Sequence, residues 1–444
     1  MSKHIKILLG GSPCTHWSIA QKKNRETEPS GMGWELFKNY LIAKEKFKPD
    51  FFLYENNKSA AQAIKDQIAK ELGVGVDPKV RFTYINSALV SAQNRQRFYV
   101  TNFGDIEQPE DRGILLKDIL EYRFDLSHTL ERKQRPMVAE PIPVNTTPDG
   151  KARTVRATCY KDGIRNLVGN EVDKRTCVAE PVCVAQRGRY KDTGNRSTKG
   201  EGGTEQFYEA RTDGKTNALT RVQKDNAVAK PVRVGCYPSP DGTLKNSQGM
   251  RLYSIEGKSV NLTANGGGMG GKTGLYAIPI EFVDDVPAKA VSCADGKTYP
   301  VYRVENGLIT IKEKQYDIKL PDGFYIIRKL TVNECRRLQT VPDWYKMPCS
   351  ASQNYKMLGN GWTIEVIKHI LSHIPNIQNC TVEVLSMYDG MSCGQIALTE
   401  LGCKIERYVS YEIDKCCIQT TQMNFPKTEQ RGDAFQLRNT NWNY

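Results

Sequence analysis

The sequence predicts an α/β protein in which a doubly wound sheet is interrupted by a β-rich insertion. Residues 1–122 alternate short apolar runs, typical of buried strands, with stretches of helical periodicity. Residues 325–444 return to the same alternation, whereas residues 123–324 contain short strand-like runs, many glycines and prolines, and no long helical pattern. Open sheets of this class carry their chemistry at the carboxyl ends of the strands. The residues that follow the predicted strands are therefore the candidates for a functional site.

Length, charge and cysteine content limit the class of function. A chain of 444 residues can bury two or three cores, and its net charge of +13 favours a polyanionic partner such as a nucleic acid. No run approaches the roughly 18 apolar residues that span a bilayer, and no signal-peptide pattern is present, so we expect no membrane association. The 13 cysteines include no Cys-x-x-Cys pair, which predicts reduced thiols in a cytoplasm.

The first predicted strand, residues 5–9, ends on a Gly-Gly-Ser-Pro turn that presents Cys14. Pro13 restricts the backbone of this turn. A cysteine at the carboxyl end of a buried strand is a candidate nucleophile where neighbouring groups stabilise its thiolate. Because a single cysteine is weak evidence, the alternative at this point is an inert, half-buried cysteine in a loop.

Two later motifs favour the nucleophile. Glu-Asn-Asn at residues 55–57 follows the strand-like residues 51–54, and Gln-Asn-Arg-Gln-Arg at residues 93–97 precedes a third strand-like run at 98–100. In this order, the Pro-Cys, Glu-Asn and Gln-x-Arg-x-Arg motifs resemble those of the DNA (cytosine-5) methyltransferases. The residues around these motifs are similar to those of the branch that contains the de novo enzymes and many phage homologues.

The resemblance implies a Rossmann-like methyltransferase sheet and assigns roles to four residues. Cys14 is then the nucleophile that attacks C6 of a flipped-out cytosine, and Glu55 hydrogen-bonds N3 and the exocyclic amine of that base. Arg95 braces the base and helps to stabilise the thiolate, and Arg97 supports the loop that carries Arg95.

The last part of the chain supplies the expected cofactor half. A strand-like run at residues 382–387 opens on a glycine-containing turn, and a second run at 408–411 ends on Glu-Ile-Asp at residues 412–414. By resemblance, these motifs bind S-adenosyl-L-methionine. The cofactor-binding residues that the resemblance implies are Tyr388, Asp389, Gly390, Gly394, Glu412, Ile413, Asp433, Ala434 and Asn360. The family's common Asp-Leu-Phe opening is here Ser-Met-Tyr at residues 386–388, so the groups that hold the methionine end stay open.

Residues 325–378 resemble the family's ninth and tenth motifs. In the ninth, Thr331 stands as an N-cap with Glu334 three residues on, a capping box that predicts the start of a helix. The tenth motif, residues 355–362, leads into a predicted helix at residues 363–374. By resemblance, this motif covers one side of the cofactor.

No metal site is expected. His369 and His373 stand four residues apart on the predicted helix that follows the tenth motif. Two histidines without further cysteine, histidine or carboxylate partners seldom bind zinc. We therefore interpret both as ordinary helix residues.

The order of the motifs predicts a circular permutation. In the usual family member the cofactor motifs come first and the ninth and tenth motifs last, whereas here Cys14 comes first and the cofactor motifs last. Residues 375–380 then form a short linker, and the new termini lie close together on the surface, where permutation is tolerated. The alternative is a truncated or mis-joined gene. The predicted organisation is a catalytic half at 1–122, a target recognition domain at 123–324, the ninth and tenth motifs at 325–378 and an S-adenosylmethionine-binding half at 379–444.

The predicted recognition domain contains internal repeats. A short sequence with alanine in its second and proline in its fourth position begins at residues 138, 178, 228 and 276. An acidic-Gly-Lys sequence occurs at 149–151, 213–215, 256–258 and 295–297. These recurrences predict a repeated β-rich unit closed by turns, which we interpret as a strand-built DNA reader. The alternative is a set of hairpins that serve only as scaffold.

One glycine-rich sequence resembles a nucleotide site. Residues 266–273 match the phosphate-binding loop of nucleotide hydrolases, but such a loop needs a helix directly after it. The residues that follow are β-like and are soon interrupted by Pro279. We therefore expect no ATP or GTP site, and expect the loop amides and Lys272 to contact the DNA backbone.

The function that the resemblance implies is a DNA (cytosine-5-)-methyltransferase that modifies a specific short sequence of double-stranded DNA. Two alternatives are a tRNA cytosine-5 methyltransferase and a catalytically silent DNA-binding relative. The long recognition region disfavours the first, and the intact Cys14, Glu55 and Arg95 disfavour the second. We expect a monomer with S-adenosyl-L-methionine as cofactor, in the cytoplasm of a bacterium or a phage-infected cell. An orphan enzyme of the phage type is favoured over one from a restriction-modification pair.

Overall fold

The computed structural model describes residues 4–13, 16–17, 25–121, 124–125, 184–190, 204–210, 229–264, 269–280, 289–293 and 295–444. The chain forms two compact units. The larger unit comprises Met1–Arg123, Val228–Ala290 and Ala294–Tyr444, and the smaller unit comprises Phe124–Ala227 and Val291–Cys293. The predicted nucleophile Cys14 lies outside the described residues, as do the repeat sequences that begin at residues 138, 149, 178 and 213.

The first hundred residues of the larger unit alternate strands and helices. In chain order the elements are β1 (His4–Gly10), α1 (Gly31–Phe47), β2 (Phe51–Asn57), α2 (Gln62–Leu72), β3 (Arg81–Asn86) and β4 (Gln96–Thr101). The strands that the sequence predicts at residues 5–9, 51–54 and 98–100 are all present, and helices alternate with strands as the periodicity predicts. The sequence pattern does not predict β3, because only Ile85 of its residues is buried and the strand lacks the continuous apolar run of a central strand.

Short strands follow, as the composition of this region predicts. They are β5 (Phe124–Asp125), β6 (Val184–Tyr190), β7 (Thr204–Ala210), β8 (Arg233–Cys236), β9 (Arg251–Ser254), β10 (Leu275–Ile280), β11 (Ala290–Cys293), β12 (Thr298–Glu305), β13 (Leu308–Ile311), β14 (Lys314–Asp317) and β15 (Gly323–Arg328). In the smaller unit, β6 pairs with β7 and β5 pairs with β11, both antiparallel.

The rest of the larger unit returns to helices and strands. These are α3 (Val332–Leu338), α4 (Ala351–Asn360), α5 (Ile364–Leu371), β16 (Thr381–Met387), α6 (Cys393–Glu400), β17 (Lys404–Tyr411), α7 (Lys415–Asn424) and β18 (Glu429–Gln430). The predicted capping box starts α3: the Thr331 hydroxyl accepts from the Glu334 N–H, and the Glu334 carboxylate accepts from the Thr331 N–H. Within the described part of the chain, no helix combines the length and apolarity that crossing a membrane requires.

Seven strands form the central sheet in the order β18-β17-β16-β1-β2-β4-β3. Strands β18, β17, β16, β1 and β2 are mutually parallel, and β4 is antiparallel to both β2 and β3. The doubly wound sheet predicted from the sequence is therefore confirmed. Although β16 comes late in the chain, it pairs with β1 along its whole length, from His4 opposite Thr381 to Gly10 opposite Met387.

Helices cover both faces of this sheet. On one face, Phe37 and Tyr40 of α1 join Leu8 of β1 in a buried core. Leu9 points to the opposite face because side chains alternate along a strand. There it packs against α6, where a Cβ at Gly394 would lie 2.5 Å from Leu9 Cδ1. Burial on both faces explains why the parallel strands read as continuous apolar runs.

A second sheet of the larger unit has the path β14-β13-β12-β15-β10-β9-β8. Residues 269–273 form turns that lead directly into β10 of this sheet. A strand, and not a helix, thus follows the glycine-rich sequence at residues 266–273. The geometry that a phosphate-binding loop requires is replaced by a strand connection, as the sequence predicts.

The two proline-containing repeats that the structure describes, at residues 229–232 and 276–280, have different secondary structure. Residues 276–280 belong to β10, where Ile280 is buried, whereas residues 229–232 have no regular secondary structure and Val232 is exposed. The acidic-Gly-Lys sequences at residues 256–258 and 295–297 both lie in turns. Similar short sequences differ here because strand formation depends on the partners that the surrounding sheet offers.

Candidate active site

The carboxyl edge of the central sheet gathers the segments that the sequence singles out. Because β1, β2, β16, β17 and β18 are parallel, the residues at their carboxyl ends lie at one edge. The segments at this edge are residues 11–13, 55–57, 388–392, 412–414 and 431–433. The predicted base-binding and cofactor-binding motifs therefore share one edge of one sheet.

Glu55 lies near the end of β2 and is only 8% exposed. Its Oε1 is 2.9 Å from Nε of Arg97, and its Oε2 accepts a hydrogen bond of 2.9 Å from Nε1 of Trp362. Glu55 is opposite Tyr99 in the β2–β4 pair, so Arg97, two residues along β4, faces the same side of the sheet. A carboxylate at this depth is costly without partners, and each of its oxygens has one.

The turn that leads to Cys14 is held against β2. Oγ of Ser12 is 2.7 Å from the phenolic oxygen of Tyr54, and Nδ2 of Asn56 donates to the Ser12 carbonyl at 2.9 Å. A Cβ at Gly11 would lie 2.5 Å from the Glu55 carbonyl oxygen, so only glycine permits this approach. The described part of the Gly-Gly-Ser-Pro turn is thus fixed beside Glu55.

Arg95 is almost fully buried and connects other segments to β4. Its Nη1 donates to Oδ1 of Asn261 at 3.0 Å, and its Nη2 donates to the carbonyls of Gly359 and Gly361 at 3.1 and 2.7 Å. The contact with Glu55 comes from Arg97, to which the sequence analysis gives only a supporting role. The Gln-x-Arg-x-Arg motif therefore uses one arginine to hold backbone and one to hold the carboxylate.

Trp362 is a site residue that the sequence analysis misses. Its partner Glu55 is 307 residues away in the chain, and an indole carries no charge that would draw attention to it. One signal is available: an indole N–H finds an acceptor when it is partly buried, and Trp362 directly follows Asn360-Gly361 in the tenth motif.

Asp389 is buried within residues 388–392, which we call the first cofactor loop because the sequence predicts that they bind S-adenosylmethionine. Its carboxylate accepts hydrogen bonds from four hydroxyl groups, those of Ser386, Ser392, Tyr408 and Ser410. Burial raises the pKa of Asp389, and the four hydroxyl donors oppose that shift. All four partners are missed by sequence reasoning, because hydroxyl residues on two strands and in the loop before α6 have no distinctive spacing.

This network stabilises an unusual backbone. Tyr388 and Ser392 have φ values of 58° and 54°, the left-handed region that residues with side chains seldom adopt. The Tyr388 hydroxyl donates to the Leu36 carbonyl at 2.7 Å and accepts from Nδ2 of Asn39, so its side chain is anchored on α1. The side chains of Tyr388 and Asp389 thus serve to shape the loop from within.

Gly390 and Glu412 connect the first cofactor loop to residues 412–414, the second segment that the sequence predicts to bind the cofactor. The Gly390 N–H donates to Oε2 of Glu412 at 2.8 Å, and Oε1 accepts from the N–H groups of Ile413 and Asp414, each at 2.8 Å. Burial raises the pKa of Glu412, and these three N–H groups oppose that shift. A Cβ at Gly390 would meet no heavy atom within 4 Å, and Ile413 is 72% exposed.

The other predicted cofactor residues have different surroundings. Asn360 is exposed at the end of α4, and Gly394 is packed against β1 inside the protein. Asp433 is exposed beyond β18 and accepts from the Phe435 N–H at 2.9 Å, while Ala434 is buried. Glu412 is bonded to the N–H groups of both Gly390 and Ile413, whereas these four residues have separate surroundings.

The two histidines after the tenth motif bond to backbone. Nε2 of His369 is 2.7 Å from the Glu107 carbonyl, and Nδ1 of His373 is 2.8 Å from the His369 carbonyl. In the described ranges, one group has the spacing of metal ligands: His4, Glu383 and Glu406, at the amino end of the sheet. Nε2 of His4 is already 2.7 Å from Oε2 of Glu406 there.

Comparison with known proteins identifies the family. The model of the C-5 cytosine-specific DNA methylase family matches residues 1–376. Type II methyltransferase M.HhaI of Haemophilus parahaemolyticus is 29% identical over 167 residues, which are 38% of this chain and 36% of that enzyme. Type II methyltransferase M.HgiBI of Herpetosiphon aurantiacus is 23% identical over 393 residues, which are 81% of this chain and 80% of that enzyme.

This chain thus spans about a third of the first relative and four fifths of the second. Among solved structures, a methyltransferase of Entamoeba histolytica aligns with 83% of this chain and 76% of its own, with 10% identity and a TM-score of 0.35. The family assignment depends on the family model, which covers well over half of the sequence. The chain belongs to the C-5 cytosine-specific DNA methylase family, a family of DNA cytosine methyltransferases.

Proposed function

We propose that this chain transfers a methyl group from S-adenosylmethionine to C5 of a cytosine flipped out of a specific short sequence of duplex DNA. The observation that carries the proposal is the Glu55 carboxylate. This carboxylate is nearly buried, and Arg97 and Trp362 each contact one of its oxygens. The backbone carbonyl of Glu55 lies against Gly11, in the turn that leads to Cys14. Membership of the DNA methylase family supports the same reaction.

Glu55 is the proposed base-binding group. C5 and C6 of cytosine are stacked inside a duplex, so the base must leave the helix to react. A carboxylate has about four acceptor positions, and Arg97 and Trp362 occupy one on each oxygen. The remaining positions suit the exocyclic amine and a protonated N3 of cytosine, and this pairing stabilises the charge that develops in the ring.

Cys14 is the proposed nucleophile. Its thiolate forms a bond to C6, and the electrons of the C5–C6 double bond become available at C5. S-adenosylmethionine, when bound, supplies an electrophilic methyl group on a sulfonium and leaves as a neutral thioether. Loss of the C5 proton to water and expulsion of the Cys14 thiolate then restore the aromatic ring.

The residues at the ends of β16 and β17 fit this cofactor. Glu412 accepts three loop N–H groups and keeps about one acceptor position, which suits a ribose hydroxyl. The space around Gly390 is open, and the exposed Ile413 offers an apolar surface to an adenine ring. Asp433, exposed beyond β18, is the proposed acceptor for the adenine amino group.

Duplex DNA is the proposed substrate, and the second sheet is its proposed reader. The net charge of +13 supports a polyanionic partner. Lys272, in the glycine-rich turn before β10, has its Nζ 3.2 Å from Oγ of Ser352 and is proposed to contact phosphate. The division at residues 1–122, 123–324, 325–378 and 379–444 is part of this proposal.

A circular permutation is also proposed. Strands β16, β17 and β18 end the chain, yet they extend the sheet from β1, its first strand. Nζ of Lys6 lies 6.0 Å from the ring centroid of the last residue, Tyr444, which supports neighbouring termini. The family model stops at residue 376, before the cofactor half begins.

The test is to express the chain in methylation-free bacteria and map 5-methylcytosine in their genomic DNA. Methylated cytosine within a short motif is expected from the wild type and not from Cys14→Ala. A folded, DNA-binding wild type that leaves genomic DNA unmodified would refute the proposal. Labelling of tRNA by that protein would then identify an RNA enzyme, and a lack of any labelling would identify a silent relative.

A further inference from the structure

We propose that Trp362 is a positioning residue that orients the Glu55 carboxylate for the cytosine and connects it to the cofactor loop. The inference rests on the proposed function, since it concerns the group assigned to base binding. It starts from one contact, the hydrogen bond of 2.9 Å from Nε1 of Trp362 to Oε2 of Glu55.

The two donors to Glu55 differ in how they are attached. Arg97 belongs to β4, which pairs with β2 and therefore has a fixed register to Glu55. Trp362 belongs to the turn between α4 and α5, outside the sheet. Rotation about the terminal torsion of a glutamate is soft. One donor on each oxygen is therefore needed to define the plane of the carboxylate, and Trp362 supplies the second.

The turn that carries Trp362 is itself held by several parts of the site. Arg95 donates to the carbonyls of Gly359 and Gly361. The backbone N–H of Trp362 donates to Sγ of Cys393 at 3.4 Å. Cys393 is the first residue of α6 and directly follows the first cofactor loop. A Cβ at Gly361 would lie 3.3 Å from the same sulfur. A shift of the cofactor loop thus reaches Glu55 through this turn.

The turn also touches the region that precedes β10. A Cβ at Gly359 would lie 2.6 Å from the backbone N of Ala264, and Arg95 donates to Oδ1 of the nearby Asn261. Trp362 therefore stands where the cofactor half, the Gln-x-Arg-x-Arg motif and the β-rich region meet. This position makes it suited to align the base-binding carboxylate only when these parts are assembled.

The kinetic test compares Trp362→Phe with Trp344→Phe. Both changes keep an aromatic ring and remove one indole–carboxylate bond, since Nε1 of Trp344 donates to Oε1 of Glu400 at 2.8 Å. With saturating duplex and cofactor, Trp362→Phe is expected to lower the single-turnover methylation rate about tenfold, while S-adenosylhomocysteine binds within about twofold of the wild type. Trp344→Phe is expected to retain the wild-type rate.

Two results would overturn the inference. One is a wild-type rate in Trp362→Phe, whatever its affinity for S-adenosylhomocysteine. The other is a lowered rate accompanied by strongly weakened S-adenosylhomocysteine binding, which would indicate a packing role in the cofactor site. An active wild type distinguishes these results from failure of the proposed function. A wild type that methylates no DNA would reject the proposed function and this role of Trp362 together.

A spectroscopic test does not depend on activity or on the folding of Trp362→Phe. The chain has five tryptophans, and in ¹⁵N-indole-labelled protein Glu55→Gln is expected to move one indole N–H signal, since Glu55 is the acceptor for Trp362. Three of the other indoles donate elsewhere, to Glu26, Glu400 and Tyr411. S-adenosylhomocysteine should move the same signal. An indole spectrum that Glu55→Gln leaves unchanged would overturn the proposed contact.

Discussion

Two carboxylates are buried at the same edge of the central sheet and have different kinds of partner. Asp389 accepts from four hydroxyls that all belong to the cofactor half. Glu55 is bonded by Arg97 and Trp362, which come from distant parts of the chain. The hydroxyls fill the acceptor capacity of Asp389, whereas Glu55 keeps capacity for a substrate. Burial alone therefore does not distinguish the two carboxylates, whereas the number and origin of their partners do.

The largest expected effect comes from Glu55→Gln. The amide keeps the shape of the side chain but removes the negative charge that the proposed mechanism needs, so the methylation rate should fall about 100- to 1000-fold. The rate is measured in a single turnover with saturating duplex and cofactor. Thermal unfolding should show that the variant is folded; a folded Glu55→Gln with near wild-type rate would assign base binding to another group.

A smaller loss is expected from Gly11→Ala. The new Cβ would lie 2.5 Å from the Glu55 carbonyl oxygen, so the turn that leads to Cys14 must move away from β2. A displacement of about 1 Å can lower a rate about 100-fold. The matched control is Gly235→Ala in β8, whose Cβ would meet its nearest atom at 3.5 Å. Equal activity of the two variants would show that the turn does not position the nucleophile.

Asp389→Asn should affect the cofactor more than the chemical step. The amide presents N–H groups to hydroxyls that already donate, so we expect a loss of about 1 kcal/mol in the free energy of unfolding. The loop above it then loosens, and the dissociation constant of S-adenosylhomocysteine should rise about tenfold. Urea unfolding and calorimetric titration measure the two quantities. Unchanged cofactor affinity in this variant would show that Asp389 does not hold the cofactor loop in its binding conformation.

Glu412 has three N–H donors, a number between those of Glu55 and Asp389, and its protonation should make cofactor binding depend on pH. Burial raises the pKa of Glu412, so this carboxyl begins to take up a proton at a higher pH than an exposed glutamate does. Only the ionised form accepts all three loop N–H groups, so cofactor binding should weaken as the pH falls. Between pH 7.5 and 5.5 we expect the dissociation constant of S-adenosylhomocysteine to rise about threefold. In Glu412→Gln the binding should be weaker and should lack this pH dependence.

The central strands could be predicted from the sequence because burial on both faces produces continuous apolar runs. β3 could not, because it lies at the edge of the sheet and only Ile85 is buried. The repeated short sequences differ for a related reason. Residues 276–280 pair with β15, and residues 276 and 277 also pair with β9. Residues 229–232 form no strand, although the carbonyls of Lys230 and Val232 accept hydrogen bonds from the N–H groups of Lys258 and Ser254.

The candidate site divides in the same way. Glu55 and Arg97 stand in short motifs, so a local pattern is enough to find them. The Trp362 contact joins residues 307 positions apart through a turn outside the sheet. The hydroxyls around Asp389 come from β16, from the loop after it and from β17, and only the folded structure directs them at one carboxylate. The contact of Arg97 with Glu55 has the same origin, because only the β2–β4 register shows that Arg97 faces Glu55.

One measurement tests the contrast between the two carboxylates most directly: the single-turnover methylation rate of Glu55→Gln and Asp389→Asn, each with saturating S-adenosylmethionine and duplex. Saturation compensates for weak cofactor binding, so Asp389→Asn should recover to within about threefold of the wild type, while Glu55→Gln stays at least about 100-fold slower. An Asp389→Asn that stays slow at saturation, beside a nearly active Glu55→Gln, would reverse the roles assigned here to the two groups.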